Sequence, residues 1–449
     1  MQEASVSAVE TTGGRLMRIL LLAQFFPPDI GGEEQHVLNL ANTLADRGHG
    51  VAVATQRVAG ALDEEVLPSG VRVHRFATMA MRLPGVYSTA RQHHPPVPDP
   101  IGVRELARIV RRERPDVVHA HNWAVNSALA LRRHSAKGPH FGLVLTLHDF
   151  SQVCATKQLM RADSLCAGPS VARCLPCATT QYGRVVGPMT AAATAMMRPW
   201  KGHAIDHVVS VSRAVAIGNN IREGPGSSVI PNFVLDSAVV RPNADPAEKG
   251  VAGAPSALPA AGFLLFVGEL SARKGVPALL RAYESLGGRR PRLMLVGRRT
   301  PDTPAQLPVG AEVHLDWPHE HVLAAFRRCL FAVLPSVVPD ACPTTVLEAM
   351  AAGRPVITTS IGGIVDLVVD GESGVLVPPG NDRELAAAIG RVLADGGLRA
   401  RLGAGALERV RGFTASAVAE RLEAVYARVA PPSPATQQPR RPPHRWAAR

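Results

Sequence analysis

The chain has 449 residues, and 49 Lys or Arg against 37 Asp or Glu give a net charge of +12. A hydrophobic fraction of 46% excludes wholesale disorder and suits two domains of roughly 200 residues or three of roughly 150. With 4% aromatic residues and no helix-turn-helix, zinc-finger or RRM pattern, nucleic acid is set aside, and small phosphates or a membrane face remain as anionic partners.

Residues 1–16 read as a polar, disordered tail with Glu3 and Glu10, not a secretory signal, and no apolar run reaches the ~18–20 residues that span a bilayer. A soluble, cytoplasmic protein is expected. Short apolar runs then alternate with helical stretches, the pattern of βαβ units and parallel sheets. Residues 18–23 predict a buried strand, followed by a loop with Pro27, Pro28, Gly31 and Gly32. Residues 35–47 predict a helix, because Val37, Leu38, Leu40, Ala41, Leu44 and Ala45 recur at helical spacing and Gly48 ends it. Strands are expected at 51–55, 71–75, 117–120, 142–147, 208–212 and 228–230.

Residues 236–261 hold Pro242, Pro246, Pro255 and Pro259 among alanine, glycine and charged residues, and read as a linker. The opening theme then restarts with strand 263–267, a glycine-containing turn, helix 276–286 and strand 292–296. Further strands are expected at 331–334, 356–359 and 374–377, and Asn381 with Glu384 forms a capping-box pattern ahead of helix 385–393. Residues 431–449 carry four arginines, six prolines and no acids, so they read as a disordered tail that leaves +8 for the rest. The fold class is therefore α/β, with two doubly wound, Rossmann-like halves and a cleft between them.

Three turns carry chemistry. Gly31 and Gly32 lie between a strand and a helix, where backbone can approach an anion. The segment VGELSARKG places Arg273 and Lys274 at a second strand-to-helix turn, suited to a diphosphate. The run PSVVPDACPTTVLEAMAAGRPV sets Asp340 in a loop and Glu348 eight residues on in a helix, with Thr344 and Thr345 at the helix start, where backbone N–H groups face a phosphate. IGGIVD adds Gly362 and Gly363. A dinucleotide-binding GxGxxG turn and a Walker A sequence are both missing, which disfavours a Rossmann-type oxidoreductase.

In order and spacing these segments resemble the retaining glycosyltransferases of glycosyltransferase family 4, which have the GT-B fold. The resemblance spans roughly residues 18–428. It rests on RILLLAQFFPPDIGGEEQHVLNLANTLADRGH, RPDVVHAHNW, LVLTLHDF, VSVSRAV and VIPNF, then VGELSARKG, the PSVVPDACPTTVLEAM run and GGIVDLVVDGESGVLVPPGN. It implies an acceptor domain at 17–235, a nucleotide-sugar-binding domain at 262–412 and a helix at 413–430 packing back on the first domain. It also implies catalytic roles for His148, Asp340 and Glu348, and donor contacts from Gly31, Gly32, Lys274, Glu348, Gly362 and Gly363, beside the Thr344 and Thr345 donor contacts read from the helix start. The reaction implied is transfer of a sugar from a nucleotide sugar to a glycan or lipid-linked acceptor, in polysaccharide or glycolipid synthesis, with retention and without a required metal.

Two residues depart from the family pattern. Glu269 stands where the motif carries a phosphate-binding arginine, and Arg273 is the candidate to compensate. Asp340 replaces the longer glutamate. Glu269 leaves a catalytically impaired homologue, acting as a binding or scaffold protein, as the alternative. Cys154, Cys166, Cys174 and Cys177 crowd into an expected loop insertion at 151–180, readable as a closed structural zinc site or as four reduced thiols. Arg104, Arg108, Arg111 and Arg112 share one helix face, readable as a solvated surface or as a peripheral contact with anionic lipid at the inner face of the plasma membrane.

Overall fold

A computed structural model describes residues 15–28, 31–82, 95–134, 140–161, 164–201, 204–240, 261–288 and 290–432. Most of both expected tails and residues 241–260 of the expected linker lie outside these. The first sheet comprises β1 (Arg18–Leu22), β2 (Gly50–Gln56), β3 (Glu64–Val66), β4 (Arg72–Phe76), β5 (Val117–His121) and β6 (Gly142–Leu147). After a hairpin of β7 (Met160–Arg161) and β8 (Ser164–Leu165), β9 (His207–Ser210) and β10 (Ser227–Val229) complete it. Its order is β10-β9-β6-β5-β1-β2-β4-β3, parallel throughout except for the β3–β4 pair.

Alternation along β1 explains why both faces are covered. Leu20 and Leu22 meet Leu106, Val110 and Ala128 of helices α2 (Pro100–Glu113) and α3 (Val125–His134). Ile19 and Leu21 point the other way, toward Val37, Leu40 and Leu44 of α1 (Gly32–Asp46). α1 thus begins three residues earlier than the apolar periodicity indicates, on Gly32 itself. The expected insertion also differs in part: α4 (Val171–Lys201) takes up Cys174 and Cys177 within a helix, interrupted at Gly183 (φ 84°). A short α5 (Arg213–Gly218) follows β9, capped by the Ser212 hydroxyl accepting from Val215 N at 3.2 Å.

The second sheet has β11 (Leu264–Val267), β12 (Leu293–Gly297), β13 (Ala311–Leu315), β14 (Phe331–Leu334), β15 (Val356–Thr359) and β16 (Val375–Val377). Its order is β13-β12-β11-β14-β15-β16, all parallel. Helices α6 (Val276–Ser285), α7 (His319–Arg328), α8 (Thr344–Ala351), α9 (Ile364–Leu367), α10 (Asp382–Ala394) and α11 (Gly396–Val410) surround it. The half-exposed edge strand β13 lacks an apolar run, so its sequence carries no strand signal.

α12 (Ala415–Val429) returns to the first sheet and shares its core through Val418, Leu422 and Val425. The return is pinned where Val234 N donates to Phe413 O at 3.0 Å and Ala415 N to Val234 O at 2.8 Å. Glu423 accepts from Arg47 Nε and Nη2 at 2.5 and 2.8 Å, tying α12 to the end of α1. In each sheet the strand order reverses beside its first strand, at β1/β5 and β11/β14, and ligands of such sheets sit beyond the strand ends at that point.

Candidate active site

A cavity of about 330 Å³ opens between the carboxyl ends of the two sheets. Gly32, Glu33, His148, Asp149 and Asn232 line it from the first half, and Lys274, Ser336, Asp340, Thr344 and Thr345 from the second. A neighbouring space of about 180 Å³ shares Gly32 and Thr344 and adds Glu348 and His319. Glu33 follows β1, and Lys274, Ser336 and Asp340 follow β11 and β14, strands at the two reversal points, while His148 and Asp149 follow β6, the next strand beyond β5.

On the second half, Lys274 Nζ donates to Asp340 Oδ1 at 2.6 Å. The two loops that carry them are joined by Val337 N donating to Arg273 O at 2.9 Å. Gly363 N in turn donates to Asp340 O at 2.7 Å. Gly362 has φ +63°, and a Cβ there would come within 2.7 Å of Asp340 N, so the loop under Asp340 needs glycine on both counts. Gly362 and Gly363 therefore buttress the acid from behind. Glu348 is buried, and its Oε1 meets His319 Nε2 at 3.0 Å, a bond that raises the His319 pKa above its ordinary value.

On the first half, His148 follows β6 and belongs to a buried imidazole cluster. Its Nε2 lies 2.9 Å from His121 Nδ1, with the rings stacked. His119 Nδ1 meets the Tyr426 hydroxyl of α12 at 2.7 Å, and its Nε2 meets Thr146 Oγ1 at 2.6 Å. Burial lowers His148 and His119 to about 3, so both are neutral at physiological pH. Asn122, at φ +49° just after β5, accepts from His148 N at 3.0 Å and donates to Glu33 Oε2 at 2.8 Å. Sequence reasoning singled out none of His121, Asn122 and Glu33. The two histidines of HAHNW fall two apart at a strand's carboxyl end, a spacing that puts both on one face and was available as a signal.

The remaining site candidates are placed as follows. Gly31 caps α1 with extended backbone, outside the cavity lining. Arg273 is exposed, lies outside the lining and near Asp302, so of the two basic residues on that turn Lys274 is the one at the cavity. Glu269 faces Arg298, with Oε1 3.6 Å from Nη2. The thiols of Cys154, Cys166, Cys174 and Cys177 are all free and part-exposed; burial pushes the Cys177 thiol up, and the other three cysteines add to the rise. Among the described residues no three His, Cys, Asp or Glu side chains form a set that could hold a metal ion. On α2, Arg108 pairs with Glu105 at 2.6 Å and Arg112 with Glu64 at 2.5 Å, which neutralises two of the four arginines offered for lipid contact. Among the described residues no helix is long and apolar enough to cross a membrane.

A family model described as Glycosyltransferase Family 4 matches residues 30–234, and one described as Glycosyl transferases group 1 matches residues 261–395. The chain is 30% identical over 424 residues to a glycogen synthase of Mycobacterium tuberculosis, covering 84% of this chain and 86% of that one. It is 26% identical over 422 residues to a D-inositol 3-phosphate glycosyltransferase of Stackebrandtia nassauensis, covering 89% and 87%. Among solved structures, sucrose-phosphate synthase from Thermosynechococcus elongatus superposes with a TM-score of 0.66 at 20% identity over 92% of this chain and 98% of that one. Anabaena HepE in complex with UDP-glucose superposes with a TM-score of 0.61 at 18% identity, covering 92% and 100%. These likenesses are to the GT-B fold.

Proposed function

The chain belongs to glycosyltransferase family 4, and from that premise we propose that its cleft binds a nucleotide sugar and transfers the sugar, with retention, to a glycan or lipid-linked acceptor. The carrying observation is the convergence on one cavity of the Lys274 ammonium and the amino termini of α1 and α8, opposite His148. Breaking a sugar–phosphate bond develops positive charge on the sugar and negative charge on the departing diphosphate. A lysine and two helix amino termini stabilise that leaving group without reorganising. Glu348, in the adjoining space, suits the ribose hydroxyls. His148 is neutral, so it serves as a hydrogen-bonding partner of the sugar and not as a cation. UDP-glucose in the HepE complex supports the donor class.

A screen of nucleotide sugars by thermal shift and by hydrolysis tests the proposal. A ligand present at a hundred times its Kd stabilises by about 2.7 kcal/mol, a shift of several degrees for a protein of this size. If no nucleotide sugar stabilises the protein or is turned over, the proposal fails. Binding without turnover, with or without added acceptor, favours the impaired homologue that Glu269 suggests.

A further inference from the structure

One carboxylate in the cleft has no part in this scheme. Glu33 is the second residue of α1 and lines the cavity beside His148. Its Oε2 is held by Asn122, while Oε1 is enclosed and has no hydrogen-bond partner. Asn122 is itself fixed, since it accepts from His148 N and also donates to Asp149 Oδ2 at 3.3 Å. The carboxyl therefore has a set orientation, and an enclosed unpaired oxygen is costly to keep unless a ligand completes it.

The groups around Glu33 decide its charge. Burial pushes the carboxyl up to about 8; Lys157 opposes the rise, Asp149 and Glu34 add to it, and the Asn122 hydrogen bond opposes it. Glu33 is then the neutral acid at pH 7. An ionised carboxylate at this place would repel a diphosphate, whereas a neutral carboxyl both donates and accepts. A sugar hydroxyl also does both.

We propose that Glu33 is a specificity-determining residue that hydrogen-bonds a hydroxyl of the transferred sugar. The proposal rests on the cleft being a nucleotide-sugar site. It predicts a split between the two parts of the donor, because the side chains that meet the nucleoside diphosphate lie on the Lys274 and Glu348 side of the cleft and the α1 amino terminus offers it only backbone, which a change of the Glu33 side chain leaves in place.

The test is isothermal titration of the full chain with UDP-glucose and GDP-mannose and with UDP and GDP alone, using whichever pair the wild type binds. E33A is expected to bind the nucleoside diphosphate within about twofold of wild type and the nucleotide sugar ten- to a hundredfold more weakly. E33Q, which copies the neutral acid, is expected to retain the sugar's affinity. Wild-type affinity for the sugar should fall as pH rises through about 8, where Glu33 ionises, and E33Q should lack that fall. Equal weakening of both ligands in E33A, or no weakening of the nucleotide sugar, overturns the proposal. If the wild type binds no nucleotide sugar, the reading of the cleft is refuted and this proposal falls with it.

Discussion

Replacing Lys274 with methionine separates what this residue does for the fold from what it does for a ligand. In the free protein its ammonium lies 2.6 Å from Asp340, and the two side chains keep 31% and 21% of their surface exposed. A pair that accessible to water contributes about 0–1 kcal/mol. Methionine keeps the length and apolar body of the stem, so K274M should lower Tm by no more than about 4 °C. Toward a diphosphate the balance differs. There the same ammonium faces ligand charge in a cavity walled by protein, and a hydrogen bond to a charged group contributes about 1.5–3 kcal/mol. That corresponds to a loss of roughly 10- to 150-fold in affinity. D340N completes the cycle: it releases Lys274 from its partner, so nucleoside diphosphate binding should hold or tighten. Isothermal titration and scanning calorimetry on the two single variants and the double variant measure both quantities. Wild-type nucleotide affinity in K274M, together with a Tm loss of many degrees, would refute the reasoning and make Lys274 a structural strut.

Two other substitutions probe how the site is supported. A Cβ on Gly363 would stand 2.8 Å from the Ala341 carbonyl carbon and 2.7 Å from Ser212 Cβ, across the two halves. G363A should therefore displace the loop bearing Asp340, cost about 1–3 kcal/mol of stability and weaken nucleotide binding, and unchanged values for both in calorimetry and titration would dismiss the buttress. Y426F removes the hydroxyl bonded to the buried His119 Nδ1. It should cost about 1–3 kcal/mol, seen as a lower Tm with donor kinetics intact, and a Tm within 1 °C of wild type would show that the α12 contact does not depend on this bond.

The parts of the fold that were legible in sequence are those whose burial is continuous. β11 and β14 are wholly apolar, and β1 and β6 are so apart from Arg18 and Thr146, because helices cover both faces of each sheet, and they stand where the apolar runs place them. β13, half-exposed, and the start of α1, a glycine without apolar side chain, carry no such signal. α4 reads poorly because its first two turns contain Pro176 and two cysteines, and residues of that kind suggest a loop. Within the site, Lys274, Asp340 and Glu348 stood out because charged residues on strand-to-helix turns are chemically conspicuous. Glu33 did not, since an acid in the first turn of a helix is adequately explained by the helix dipole. Its difference lies in enclosure and in Asn122, 89 residues away in sequence, which no local pattern reports.

The net charge of +12 proves a poor guide to where the anion goes, and the two walls of the cleft explain why. Several surface arginines are already paired with acids, among them Arg57, Arg72 and Arg132. The cavity itself draws on one lysine and on helix amino termini, whose partial charges appear in no residue count. The second half presents ionic groups, Lys274 and Asp340, with Glu348 close by. The first half, Asp149 apart, presents groups that burial keeps neutral, His148 among them and Glu33 below about pH 8. A nucleotide sugar is divided in the same way, into a doubly charged diphosphate and an uncharged ring of hydroxyls. Matching a charged wall to the first and a neutral, hydrogen-bonding wall to the second keeps carboxylate charge on Glu33 from opposing the diphosphate. It also predicts that raising the pH acts first on recognition of the sugar, through Glu33, and leaves the grip of Lys274 on the nucleotide in place.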